Sequence, residues 1–221
     1  MRMKRPDHKV HPEFMLTTPM KENLRFDVMA AIRGAAYHLS LVSAAMSNEL
    51  MRSSLDLEKQ ANDEAKAKVQ EITNMMHWHI RAFFWELAAA FDTLLQWVNV
   101  RYELRIPENQ VRPLDIGTRK ARKDKEVWKQ KLLVIEQAWL SEWCFEVLEY
   151  RNSAHRSFNW FTFEHQVFNY KTPEELSRLR RAWLRPAREG QAPSATDLLP
   201  TFERYLKEMT KLVTGVIEEF N

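Results

Sequence analysis

The segment from Ile72 to about Leu104 constrains the fold more than any other part of the chain. It is dense in large apolar side chains: Trp78, Phe83, Phe84, Trp85, Leu87, Phe91, Leu94, Leu95, Trp97 and Val98. A helix that is apolar around most of its circumference is typical of a buried position. We therefore predict that this segment is the central helix of a helical bundle.

The composition excludes several classes of protein. Four glycines among 221 residues argue against a turn-rich all-β fold and against glycine-rich nucleotide-binding loops. The single cysteine excludes an internal disulfide framework and a cysteine-rich metal site, and it suits a reducing cytoplasm. The net charge of +3 permits an acidic partner without requiring one.

The sequence predicts a cytoplasmic protein that does not span a membrane. Residues 1–17 carry charge and two prolines but no apolar core, so they do not resemble a secretory signal, and we interpret them as an N-terminal arm. Phe83 to Val100, which we take as the most apolar window, contains two acidic and two amide side chains. That content favours a buried helix of a soluble bundle.

Helix-start signals predict further helices. A first helix begins at Thr18 and is expected to reach about Arg52. A second helix begins at Ser53 or Ser54, exposes a polar first half and continues into the central segment. A third helix begins near Asp124 and either runs on into the following helix or kinks close to it.

The functional interpretation depends on residues 139–157, WLSEWCFEVLEYRNSAHRS. Polar side chains recur at helical spacing on one face: Glu142, Glu146, Glu149, Ser153 and Arg156. Arg151 and His155 instead continue the apolar stripe of this motif helix, and Ser141 is the place where a kink would fall. Charge on the packed side of a helix is costly unless it has a partner or a chemical role.

Beyond this motif helix, residues 158–168 are expected to be irregular or to form a short hairpin. A capping signature at residues 172–175 predicts a short basic helix that ends before Pro186, and residues 188–195 are expected to be a loop. A final amphipathic helix covers about Asp197 to Glu219. The predicted fold is all-α, a single helical bundle of about five helices, two of them long, in a domain of residues 18–221.

Arg151 and His155 admit two interpretations. In the structural one, Arg151 pairs with Glu86 or Asp92 across the bundle and His155 closes the helix. In the chemical one, the arginine holds a phosphate and its developing charge, while the histidine near a helix C-terminus exchanges a proton. Asn152 would assist, and no metal would be needed.

Neither the His77 and His79 pair nor Cys144 is predicted to have a catalytic or metal-binding role. His77 and His79 are two residues apart and therefore lie on nearly opposite sides of a helix, unlike the pair of a helical zinc site. Cys144 lies in mid-helix on an apolar face, which favours a buried, inert thiol.

Residues 150–156, YRNSAHR, at the end of an internal helix of an all-α chain, resemble the motif of the HEPN superfamily. Residues 83–96 are similar to the aromatic and acidic helix that precedes the motif in some HEPN-like proteins. The resemblance covers roughly residues 70–160 and the closing helix. The family places four to six residues between the arginine and the histidine, whereas this chain has three between Arg151 and His155.

This resemblance implies a compact bundle that forms a homodimer, with two copies of the motif at one cleft. It implies a metal-independent endoribonuclease without a cofactor, of the kind found in toxin–antitoxin, phage-defence and RNA-processing systems, with an antitoxin or another protein as partner. Arg151 and His155 would be catalytic and Asn152 would orient them, with a ribose 2′-hydroxyl attacking the adjacent phosphate. Other members have lost catalysis, and the shortened spacing favours this alternative of a scaffold that binds a protein or a nucleotide.

Two groups of basic residues could bind the phosphate backbone of an RNA. The run over residues 119–131 contains Lys120, Arg122, Lys123 and Lys125, and Arg156 follows the motif. A solvated loop and helix start explain the same run. The five arginines between positions 178 and 188, with Trp183 among them, have the same two interpretations.

Overall fold

The computed structural model describes residues 18–47, 63–113, 116, 126–154, 182–185 and 194–218. These ranges contain five α-helices: α1 (Thr18–Met46), α2 (Asp63–Arg101), α3 (Glu126–Leu140), α4 (Glu142–Ala154) and α5 (Leu198–Glu218). A short 3-10 helix covers Glu108–Gln110, and strands β1 (Ala182–Arg185) and β2 (Ser194–Asp197) pair antiparallel. The predicted all-α class is confirmed, as is a bundle with two long helices, α1 and α2.

The central position of α2 is confirmed. It packs along α1, and it also contacts α4 and α5. The direction of α1 is opposite to that of α2, because His38 lies beside His79 while the earlier Gly34 lies beside the later Glu86. α5 closes the core with a regularly spaced apolar face that includes Phe202, as its sequence pattern predicts.

Aromatic rings join three helices at one point of the core. Phe84 of α2 stacks on Tyr150 of α4, with ring centroids 4.6 Å apart, and meets Phe202 of α5 edge to face at 5.1 Å. Tyr205 of α5 lies 6.1 Å from the same phenylalanine ring. This cluster fixes α4 against α2 one residue before Arg151.

A kink separates α3 from α4 at Ser141, which settles the alternative that the sequence left open. The Ser141 hydroxyl accepts a hydrogen bond from the Cys144 N–H at 3.4 Å, in the manner of an N-cap. The Ser141 N–H donates to the carbonyl of Ala138 at 3.1 Å, which tightens the end of α3. The motif helix is therefore a separate helix with its own start.

Several sequence boundaries are corrected. α1 ends at Met46 and Ser47 forms a turn. The prediction that this helix continues without a break to about Arg52 was therefore wrong. The expected short basic helix was wrong over Ala182–Arg185, which pairs as a strand with Ser194–Asp197. This hairpin follows the motif helix, but it lies later in the chain than residues 158–168. Those residues, the N-terminal arm and Ser53 with Ser54 lie outside the described residues.

One stretch of α1, Asn23–Met46, is long enough and apolar enough to cross a membrane by length and mean hydropathy. Phe83 to Val100 does not meet these criteria, so its identification as the most apolar window was wrong. A core helix of a soluble protein meets the same criteria. The inner face of this stretch is buried in the common core through residues such as Val28, Ala35 and Val42.

The end of α2 is capped without a glycine. The Leu104 N–H donates to the Asn99 carbonyl at 3.0 Å and the Glu103 N–H donates to the Val100 carbonyl at 3.2 Å, which together form a Schellman motif. Glu103 has a φ of 51°, in the left-handed region. The buried Asn99 amide then holds the chain after the helix, because it donates to the Ile106 carbonyl at 2.8 Å and accepts the Ile106 N–H at 3.0 Å.

We expect Glu103→Gly to raise the free energy of unfolding by about 1 kcal/mol, because glycine adopts this left-handed conformation without the steric cost of a Cβ. In a chain of this size the midpoint of thermal unfolding should rise by about 2–4 °C per kcal/mol, measured by circular dichroism. Glu108→Gly, at an exposed site with negative φ, is the control and should not stabilise. A midpoint that stays constant or falls in Glu103→Gly would contradict the role of the backbone conformation.

Candidate functional site

Arg151 of the motif helix pairs with Asp92 of α2. Its Nη1 atom lies 2.6 Å from the Asp92 Oδ2 atom, a charge-assisted hydrogen bond between two helices. Of the two acidic partners considered from the sequence, Asp92 is the one that is used. Glu86 instead lies beside Gly34, where a Cβ would be 2.9 Å from the Glu86 Cδ atom.

This ion pair is accessible to solvent. The Arg151 side chain is 32% exposed and that of Asp92 is 55% exposed. Ion pairs with this exposure contribute about 0–1 kcal/mol to stability, because water screens the attraction. The Arg151 side chain is thus held at the rim of the α2–α4 contact rather than sealed inside the core.

The sequence prediction that Arg151 continues the packed stripe of the motif helix is partly met. Cys144, two turns earlier on the same side of α4, is fully buried, and Arg151 carries this stripe out to the surface. Burial, with a smaller contribution from the nearby Asp92 carboxylate, raises the pKa of the Cys144 thiol to about 12. Asp92 therefore acts electrostatically on both side chains of the stripe.

Of the other predicted site residues, only Asn152 lies within the described part of the chain. Asn152 is exposed on the last turn of α4. The described residues do not include the second catalytic candidate or the candidate RNA-binding residues: His155, Lys120, Arg122, Lys123, Lys125 and Arg156. Of the predicted constellation, the structure thus places Arg151 and Asn152 in the last turn of α4, and of these two it is Arg151 that contacts Asp92.

Glu146 was predicted on the polar face of the motif helix, and this prediction was wrong. Its side chain is 2% exposed and accepts a hydrogen bond from the hydroxyl of Tyr205 on α5. Arg204 reaches in from the surface, with its Nη2 atom 3.6 Å from the Glu146 Oε2 atom. α4 is buried on two sides, by α2 and by α5, and the second side covers the predicted polar face at this position.

A buried tyrosine adjoins this carboxylate. Burial raises the pKa of Tyr150, and the neighbouring Tyr205 and Glu146 raise it further. Tyr150 is therefore a neutral phenol at physiological pH that packs on Phe84, rather than an acid–base group. The polar group of Glu146, Tyr205 and Arg204 was not found from the sequence, since no motif joins residues of α4 to residues of α5.

Within the part of the chain that is described, no group of three or more histidine, cysteine, aspartate or glutamate side chains is placed to hold a metal ion. Comparisons with protein-family models, with curated proteins and with solved structures found no match.

We expect the Cys144 thiol to react very slowly in the folded protein. With a pKa of about 12 and a side chain without solvent exposure, the fraction of reactive thiolate at pH 8 is small. Alkylation by iodoacetamide, followed by mass spectrometry, should be at least about 100-fold slower in native buffer than in guanidinium chloride. Equal rates in the two conditions would show that the thiol is accessible, against the packing described.

We expect Tyr205→Phe to lower the free energy of unfolding by about 1–3 kcal/mol, because it removes a hydrogen-bond donor from the buried Glu146 carboxylate. Tyr37→Phe is the matched control, since Tyr37 is 61% exposed, and its effect should be within about 0.5 kcal/mol. Denaturation in urea measures both values. Equal effects of the two substitutions would mean that the Tyr205 hydroxyl adds nothing to stability.

Proposed function

We propose that this chain is a HEPN-like, metal-independent endoribonuclease that works as a cytoplasmic homodimer in a toxin–antitoxin or phage-defence setting. The observation that carries the proposal is the placement of Arg151. Its side chain lies at the end of an internal helix and is one-third exposed, and its guanidinium is oriented by a carboxylate of the central helix. An arginine in this position is suited to hold a phosphate at the surface.

Within the part of the chain that the structure describes, the contact with Asp92 leaves donors available on Arg151. A guanidinium carries five N–H donors in a planar fork, and the Asp92 carboxylate bonds to the Nη1 atom. A phosphate can therefore bind to the remaining donors while the carboxylate stays in place. Asp92 acts in this proposal as a positioning residue that sets the direction of the guanidinium.

The reaction follows from the two residue types. The ribose 2′-oxygen attacks the adjacent phosphorus and the bond to the 5′-oxygen of the next nucleotide breaks, which leaves a 2′,3′-cyclic phosphate. His155 exchanges the proton, taking it from the 2′-hydroxyl or giving it to the leaving 5′-oxygen. Arg151 stabilises the negative charge that develops on the phosphate oxygens, and the exposed Asn152 orients the pair.

The partner copy and the basic residues complete the proposal. In a homodimer the two Arg151–His155 pairs would face one cleft, and each monomer would supply one pair. Lys120, Arg122, Lys123, Lys125 and Arg156 would guide the RNA backbone toward this cleft. A protein partner such as an antitoxin would act by covering it.

A second candidate function is a non-catalytic scaffold of the same fold that binds a protein or a nucleotide. The 2.6 Å contact favours it, because Asp92 offsets the charge that Arg151 would otherwise offer to a phosphate. The short spacing of Arg151 and His155 also favours it. In this alternative, substitution of Arg151 changes stability slightly and no RNA is cleaved.

The test is cleavage of a mixed single-stranded RNA by the purified protein in the presence of EDTA. We expect cleavage by the parent protein, products that end in a cyclic phosphate, and a loss of at least about 100-fold in Arg151→Ala and in His155→Ala. Circular dichroism checks that both variants are folded. Arg112→Ala removes an exposed arginine outside the site and should keep the parental rate.

Two outcomes count against the ribonuclease. Absence of cleavage by a folded parent protein would favour the scaffold. Cleavage that persists unchanged in Arg151→Ala and His155→Ala would place any nuclease activity elsewhere, or in a contaminant.

A further inference from the structure

Two histidines from different helices face each other at the α1–α2 contact. The Nδ1 atoms of His38 and His79 are 3.1 Å apart. Their ring centroids are 5.3 Å apart, with an angle of 29° between the planes. Sequence reasoning considered His79 only with His77 on the same helix, so it missed this partner from α1.

We propose that His38 and His79 bind a divalent transition-metal ion such as zinc, which would link the two longest helices of the bundle. Two nitrogens that each lie 2.0–2.1 Å from a tetrahedral zinc ion are about 3.3 Å apart. The observed separation of 3.1 Å is within a few tenths of an ångström of this value. The proposal is independent of the ribonuclease.

Burial of the His38 ring favours the neutral form that a metal ligand needs. A neutral imidazole binds metal, and burial lowers the pKa of His38, with a further decrease from His79 and an opposing increase from Glu86. In the hydrogen-bonded pair, one Nδ1–H donates to the other Nδ1. When the donor ring takes the Nε2–H form instead, both Nδ1 lone pairs face the ion, and the charge of the pair does not change.

A carboxylate adds negative charge near the pair. Glu86 lies two turns after His79 on α2 and acts electrostatically on His38. Its side chain packs beside Gly34, one turn before His38 on α1. A cation placed between the two rings would be stabilised by this charge without direct coordination.

The packing of α1 on α2 holds the two histidines in place, and positions around the ion remain for water. The neighbouring Leu39 and Ile80 are buried in the core, so the two helices cannot easily separate at this level. Among the described residues no third ligand of the usual types is in place, so two water molecules would complete a tetrahedral coordination, one more than in a zinc site with three protein ligands. His79 precedes Asp92 by thirteen residues, about 20 Å along a helix, which separates this site from Arg151.

The experiment is calorimetric titration of the full chain with zinc chloride, for the parent protein, His38→Ala, His79→Ala and the control His77→Ala. We expect the parent and His77→Ala to bind one more equivalent of zinc than the two site variants. Glu86→Gln should keep this equivalent with several-fold weaker affinity. Circular dichroism checks the fold of each variant.

A second measurement needs no variant. Diethyl pyrocarbonate modifies accessible histidines, and mass spectrometry locates them in the parent protein with and without zinc. We expect zinc to slow the modification of His38 and His79 at least fivefold, with a smaller effect at His77. Zinc binding that is equal in the parent and both site variants, or modification of the pair that zinc leaves unchanged, would overturn the proposal.

Discussion

The stacking of Phe84 on Tyr150 is the contact on which the arrangement of the helices around α2 depends. Phe84 is almost completely buried, and its ring meets aromatic rings from α4 and α5 as well as Phe83 of its own helix. Aromatic rings have few rotamers and a large buried area, so they fix relative helix positions more strictly than flexible side chains do. Because Arg151 follows Tyr150 directly, this core contact also sets where the guanidinium emerges beside Asp92.

The buried Glu146 shows how a polar group is accommodated at the edge of this aromatic cluster. A carboxylate away from water is costly unless donors replace its hydration. Tyr205 supplies a donor from within the core, and Arg204 adds a positive charge from the surface. A directional contact of this kind specifies one register of α4 against α5, which apolar packing alone specifies less strictly.

The sequence predicted the parts of the fold that depend on one helix at a time. The apolar density of α2 and the periodicity of α5 follow from local patterns, and both helices are found where expected. Glu146 was misassigned because helical spacing shows which residues share a face, but not which donor another helix brings to that face. His38 and His79 were missed for the same reason, since their contact joins positions 41 residues apart.

The hairpin shows a second limit of local reasoning. A capping signature favours a helix before Pro186. Ala182–Arg185 instead pairs with Ser194–Asp197, and the local sequence does not predict the backbone hydrogen bonds of this pairing. Strand formation depends on such cross-strand partners more than on intrinsic preference.

The exposure of the Arg151–Asp92 pair determines whether Arg151 can bind a phosphate. A deeply buried pair would be committed to the fold, since removal of either partner would leave an unpaired charge in a medium of low dielectric constant. At the surface, water already screens the attraction, so Arg151 loses little when a phosphate shares its donors. The partial exposure that makes this pair a weak contributor to stability therefore suits it to bind a phosphate in the proposed ribonuclease.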